Sequence, residues 1–211
     1  MISNTTVVEL SEVKTRDDRL RITTKADIGS LAESIGQIGM INSPVLRQSG
    51  SGYRVVSGFR RIEACQLLQI KTIPAHLVDG SATDLFCVEL AITDNAAQRD
   101  LNDLELSRCF MLLSPFYPAV ASLVSAGRRL GLRAGAGYVR KLLCLASLPE
   151  EVQKAVGDGS ISLSMSEALL KSNPRDTAAL AALFILLRPS LNKQREIFLL
   201  CKELSKRDNW R

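Results

Sequence analysis

The chain has 211 residues, 46% of them hydrophobic and 23% charged, with a formal net charge of +5. That balance excludes a wholly disordered polymer, a collagen-like repeat and a coiled-coil rod, and the length suffices for one large domain or two small ones. The longest apolar run, 177–187 (TAALAALFILL), falls short of the roughly 20 residues that a membrane-crossing helix needs. The opening MISNTTVVELSEVK lacks the basic start and long apolar stretch of a secretory leader, so a cytoplasmic protein without membrane association is expected.

The first hundred residues alternate short β-like runs with helical periodicity, the pattern of an α/β unit. Residues 28–38 set Ile28, Leu31, Ala32, Ile35 and Ile38 on one helical face, with Asp27 as N-cap and Gly39 as the stop. Residues 44–47 and 53–57 read as two strands joined by the Gly/Ser turn 48–52, a hairpin. Gly58 ends the second strand, 59–68 is helical, 73–78 is a short strand that holds His76 without a role, and 84–93 returns to helix. From Asn95 onward only helices are predicted, over 104–113, 120–130, 137–146, 150–156, 164–171, 177–187 and 191–205. The last two carry the stripes Leu180, Leu183, Phe184, Leu187 and Ile197, Leu200, Cys201, Leu204, which are expected to pack on each other in preference to forming a dimer interface. The five cysteines (Cys65, Cys87, Cys109, Cys144, Cys201) lie far apart with a single histidine, so neither zinc nor a disulfide framework is expected.

Charge is distributed unevenly. Residues 1–99 balance 11 Lys+Arg against 11 Asp+Glu, so the whole excess lies in the second half. Between Glu105 and Glu150 there is no acidic residue, while Arg108, Arg128, Arg129, Arg133, Arg140 and Lys141 all fall there. Such a stretch is either a solvated face or a surface for a polyanion, of which nucleic acid is the natural candidate.

Two constellations carry chemistry. In Ser57-Gly58-Phe59-Arg60-Arg61, a strand runs through a glycine into a helix that bears two arginines. Glycine lets the backbone approach a ligand, helix amides and dipole attract an anion, and arginine adds bidentate donors, so the pattern reads as a phosphate site or as surface charge. Its companion, Asp94-Asn95, follows a predicted helix and either holds magnesium or caps the next helix. The second constellation runs from Ala126 through Gly131 to Leu145: a helix, a glycine-bearing turn, and a helix presenting Tyr138, Arg140 and Lys141 outward while Val139, Leu142, Leu143 and Leu145 face the core. This is the pattern of a helix-turn-helix or of an ordinary helical hairpin with a basic face.

The order of motifs resembles the ParB family of partition proteins. LAESIGQIGMI at 31–41 and YRVVSGFRRIEA at 53–64 resemble its first two boxes, and IPA follows at 73–75. Asp94-Asn95 with Arg99-Asp100-Leu101 resembles its E-N-x-x-R-x-x-L box. YVRKLLCLASLPEEVQ at 138–153 resembles the recognition helix and the turn after it, and GSISLSMSEALL at 159–170 the segment that follows, so the likeness spans roughly 28–172. It implies an α+β protein: a small α/β ParB/sulfiredoxin-like nucleotide-binding domain (1–98), an all-α helix-turn-helix domain (99–175) and a C-terminal helical pair (176–211). It also implies CTP and magnesium as ligands, double-stranded DNA and a ParA-type ATPase as partners, a homodimer, and a place on the nucleoid. Carried over by position, Gly58, Arg60 and Arg61 hold the triphosphate and Asp94 and Asn95 hold metal and phosphates. Arg140 and Lys141 reach the DNA groove, with Arg128, Arg129, Arg133 and Tyr138 around them.

The departures from the family pattern have consequences. Phe59 stands where the family carries the glutamate linked to hydrolysis, so CTP binding with weak or absent CTPase activity is expected. Arg99 sits one position late, the turn before Val139 has about two extra residues, Ser166 replaces a usual histidine, and two short terminal helices leave little room for a separate dimer domain. A transcriptional regulator with a vestigial pocket is the alternative; a nuclease or phosphotransferase ranks last, because Phe59 removes an acid-base group. Sulfiredoxin chemistry requires a cysteine that Phe59 does not supply.

Overall fold

The computed structural model describes residues 2–24, 27–172 and 174–207. The chain is α+β and divides into two compact units, Met1–Asp100 and Leu101–Arg211.

The first unit is built on a four-stranded sheet in the order β1-β4-β2-β3. The strands are β1 (Ile2–Glu9), β2 (Val45–Ser49), β3 (Gly52–Ser57) and β4 (Thr72–Val78). β2 and β3 form the expected antiparallel hairpin, with Leu46 opposite Val55 and Arg47 opposite Arg54. β4 runs parallel to β2, and β1 pairs antiparallel with β4. The predicted pattern omits β1. The reason is that this strand shows water most of its face: Val8 is buried, but Val7 is 69% exposed. After β1 a single 3-10 turn (Leu10–Glu12) leads the chain past β3, where Val13 bridges Tyr53 in parallel and the Lys14 N–H donates to the Tyr53 carbonyl.

Three helices complete this unit: α1 (Gly29–Ile38), α2 (Phe59–Leu67) and α3 (Asp84–Gln98). α1 and α2 pack together, and Ala32, Ile35, Ile62, Ala64 and Cys65 join Leu46, Val55 and Ile73 in one core cluster. Burying each of the larger aliphatic side chains stabilises by roughly 1.5–3 kcal/mol relative to exposure. Two details of α1 differ from expectation. Ile28, with no side-chain cap, occupies the N-cap position; Asp27 accepts from the Gly29 N–H one residue earlier. Ile38 is 66% exposed, because the last turn of α1 overhangs the core. A third difference matters more. α3 continues beyond Thr93 to Gln98, since no glycine or proline interrupts it, and this places Asp94 and Asn95 inside the helix rather than after it.

The second unit contains only helices: α4 (Asp103–Leu113), α5 (Val120–Arg129), α6 (Ala136–Leu145), α7 (Glu150–Gly157), α8 (Leu163–Leu170), α9 (Pro174–Leu187) and α10 (Leu191–Arg207). α4 is the spine. It starts with a capping box in which the Asn102 side chain accepts from the Glu105 N–H and the Glu105 carboxylate accepts from the Asn102 N–H. It packs against α5, α6 and α7 through the buried Leu104, Phe110 and Leu113. α8 packs on α6, and α9 on α8. α9 buries Leu180, Ala181 and Phe184, but Leu183 and Leu187 are exposed; on α10, Leu200, Cys201 and Leu204 are exposed too. The expected mutual burial of the two stripes is therefore incomplete; α10 is held at its start by Gln194, which donates to the carbonyls of Ser160 and Pro189.

Candidate anion cleft and nucleic-acid interface

The Ser57–Arg61 segment makes a strand-to-helix turn of tight geometry. Gly58 caps α2 with φ 93 and ψ 24, left-handed values that favour glycine. A β-carbon there would lie 2.8 Å from the Pro44 Cβ and 2.9 Å from its Cα, so space as well as torsion demands glycine. No side chain caps the start of α2. The first unsatisfied amides of that helix open on a cleft of about 260 Å³, lined by Ile22, Thr23, Leu31, Asn42, Gly58, Phe59, Arg60, Arg61, Asn95, Gln98 and Arg99.

The two arginines have different attachments. Arg61 donates to the Asn42 carbonyl (2.9 Å), to the Ser43 carbonyl (3.1 Å) and, at 3.4 Å, to Asp94 Oδ2. Arg60 donates to the Asp27 carbonyl (3.1 Å), and its Nε is buried with no acceptor. Asp94 Oδ2 also accepts from the Ser57 hydroxyl. Asn95 donates to the Ala91 carbonyl at 2.7 Å and lines the cleft. Consecutive residues on a helix leave it about 100° apart. Asp94 therefore sits against Ser57 and Arg61 while Asn95 lines the cleft.

Phe59 belongs to the core cluster and is 8% exposed. Its ring lies 5.6 Å from the Arg21 guanidinium, which also forms a two-pronged pair with Glu63, one turn along α2. Sequence reasoning did not find Arg21; the only local signal was the i,i+4 spacing of Phe59 and Glu63.

In the second unit, α5, a turn and α6 form the predicted helix-turn-helix. Gly127 of α5 lies against Phe110, with a β-carbon site only 2.7 Å from the ring, so α5 and α4 approach closely. Ser107 of α4 donates to the Leu142 carbonyl of α6 at 2.6 Å. Val139, Leu142 and Leu145 are buried; Leu143 is intermediate. Arg128, Arg129, Arg133 and Arg140 are exposed. Arg128 Nε donates to the Ala134 carbonyl, and Arg129 donates to the Tyr117 hydroxyl. Lys141 donates to Ser164 at 3.2 Å and stands 4.0 Å from Glu167, whose carboxyl the Lys171 hydrogen bond holds below the usual range.

Tyr138 differs from the outward placement expected of it. Its hydroxyl donates to Asp103 Oδ1 at 2.5 Å, and burial, followed by that hydrogen bond, pushes the phenol above its ordinary range. The sequence reading singles out neither of the carboxylates that meet these cations, Asp103 and Glu167, nor the hydroxyls of Tyr117 and Ser164.

Comparison with known proteins adds the following. Residues 2–96 match the ParB N-terminal domain family. A chromosome-partitioning protein ParB of Myxococcus xanthus is 34% identical over 140 residues, covering 66% of this chain and 45% of that protein. A probable chromosome-partitioning protein ParB of Chlamydia trachomatis is 31% identical over 174 residues, 76% of this chain and 59% of that protein. The chain spans about half the length of the curated relatives it matches. Among solved structures, a pNOB8-like ParB-N domain shares the fold at 15% identity and a TM-score of 0.61, covering 98% of each chain.

Proposed function

We propose, on the premise that the chain belongs to the ParB N-terminal domain family through residues 2–96, that it is a ParB-like DNA-binding protein of chromosome or plasmid partition whose cleft takes CTP. The nucleotide half rests on one observation above the others. Arg60 brings a buried Nε donor without an acceptor to an uncapped helix start beside Gly58. An unmet buried donor costs about 1–3 kcal/mol, and a phosphate oxygen at this helix terminus is the acceptor that removes the penalty. Arg61, steadied by Asp94, adds a second guanidinium on the cleft wall. A magnesium ion arriving with the nucleotide would screen charge between phosphates, and the Asn95 amide oxygen is the group that would hold it. Phe59 places a core aromatic ring where the family carries its hydrolytic glutamate, so binding with weak or absent turnover is the expected behaviour.

The DNA half rests on the acid-free stretch folded as a helix-turn-helix. Exposed Arg128 and Arg129 at the end of α5, Arg133 in the turn and Arg140 on the candidate recognition helix α6 make up a basic surface suited to a polyanion. A homodimer, a ParA-type ATPase and a nucleoid location follow from the family resemblance. The test is thermal melting with millimolar CTP, ATP or GTP plus magnesium, paired with a duplex titration. CTP is expected to raise the melting temperature of the wild type, by about 2.7 kcal/mol of stabilisation at a hundred times Kd, and Arg60→Ala to abolish the rise. Salt-sensitive duplex binding indifferent to CTP would assign the chain to a regulator with a vestigial pocket.

A further inference from the structure

Among the described residues, Asp103 is a carboxylate that pairs with the turn of the helix-turn-helix through Arg133. It stands in the first turn of α4, 31% exposed, and its Oδ1 receives both the Tyr138 hydroxyl and, at 3.7 Å, the Arg133 guanidinium. Arg133 also donates to the Leu101 carbonyl at 3.3 Å, and its guanidinium lies over the Tyr138 ring, 5.8 Å from the centroid. Three elements are thereby tied at one carboxylate: the start of α4, the glycine-rich turn, and the first turn of α6. Arg133 is nonetheless 69% exposed, so its guanidinium remains within reach of a ligand in solution.

We propose that Asp103 is an internal stand-in for a DNA phosphate: it occupies Arg133 in the free protein and must yield that cation before the turn can contact the duplex backbone. This inference rests on the DNA-binding reading above and names the residue that regulates it. The chemistry follows from the ligand set. A carboxylate oxygen and a phosphate oxygen make equivalent charge-assisted partners for a guanidinium. An arginine already neutralised at home attracts few counterions, and so releases few when DNA arrives. Each phosphate newly neutralised steepens the dependence of log K on log salt by about 0.9 in B-DNA. Asp103 therefore makes binding weaker and less salt-sensitive than the bare count of basic residues predicts. Tyr138 keeps the carboxylate in place: its hydrogen bond to the same oxygen fixes Asp103 against the turn.

The experiment uses the full chain and a fluorescent mixed-sequence duplex of about 24 base pairs, titrated by anisotropy between about 50 and 200 mM KCl, the range over which phosphate contacts change affinity steeply. Asp103→Asn is expected to tighten binding several-fold at intermediate salt and to steepen the salt slope by about one phosphate's share. In an Arg133→Gln background the same substitution is expected to change neither quantity, because the cation it frees is gone. An unchanged slope for Asp103→Asn in a wild-type chain that binds DNA would overturn the proposal and leave the DNA-binding reading intact. An equal steepening in the Arg133→Gln background would also overturn it, by showing that the loss of one negative charge acts through the general field. A wild type without salt-dependent duplex binding would remove the DNA-binding reading itself. Asp103→Ser, checked by circular dichroism beside Asp103→Asn, guards against a folding defect specific to either variant.

Discussion

Among the described residues, α2 and α6 each have a glycine at the N-cap position and no side-chain cap, in opposite surroundings. α2 starts at Gly58, left-handed and boxed against Pro44, at the end of the β2–β3 hairpin. α6 starts at Gly135, in extended backbone with φ −145, and neither Gly135 nor Gly137 has any atom within 4 Å of where a β-carbon would lie. The contrast separates two ways of meeting an anion. The first start is a rigid, half-buried niche suited to a small ligand held from several sides, whereas the second is an open end on which a long polymer can lie flat.

The largest effect that tests this contrast is expected at the boxed glycine. Gly58→Ala forces both a left-handed torsion and a clash with Pro44, and should destabilise the chain by about 2–4 kcal/mol in denaturant unfolding while removing the response to CTP. A smaller change would mean that the niche relaxes and the contrast is one of degree. On the open side, Arg140 is exposed on α6. Arg140→Ala should weaken duplex binding across sequences and flatten the salt slope by about 1, read by anisotropy. The smallest effect carries the opposite sign from the first. Gly137→Ala lies in the first turn of α6 with free space around it, so it should stabilise by about 0.5–1 kcal/mol in thermal melting, through lower chain entropy in the unfolded state. Destabilisation there would show that the start of α6 is already covered.

What the sequence reveals of this architecture divides along the same line. The hairpin, α2 and the helix-turn-helix are legible because each is a local signal: a two-residue period, a 3.6-residue period, or a glycine at the change from one to the other. Gly58, Arg60 and Arg61, singled out by that signal, line one cleft. Asp94-Asn95 reads as lying beyond a helix, because Asp and Asn are common caps. Nothing within α3 breaks the helix, however, and the next start is capped by Asn102 instead. Asp103 escaped notice for a different reason. It is 35 positions from Tyr138, and no periodicity joins a helix start to a turn that distance away. Arg21, Phe59 and Glu63 are the same case in the first unit, a cluster closed by a loop whose path only the folded chain defines. The terminal stripes show the reverse error, since apolar spacing states that a face needs cover and not which element supplies it.

The bridge from Val13 to Tyr53 also bears on how copies of this molecule meet. With Lys14 donating to the Tyr53 carbonyl, the segment after the 3-10 turn lies along the outer rim of β3 and takes up hydrogen-bonding groups that a bare border strand would offer to a neighbour. At Tyr53 the sheet border is thus covered by its own chain, which leaves less bare backbone there for ribbon-like stacking.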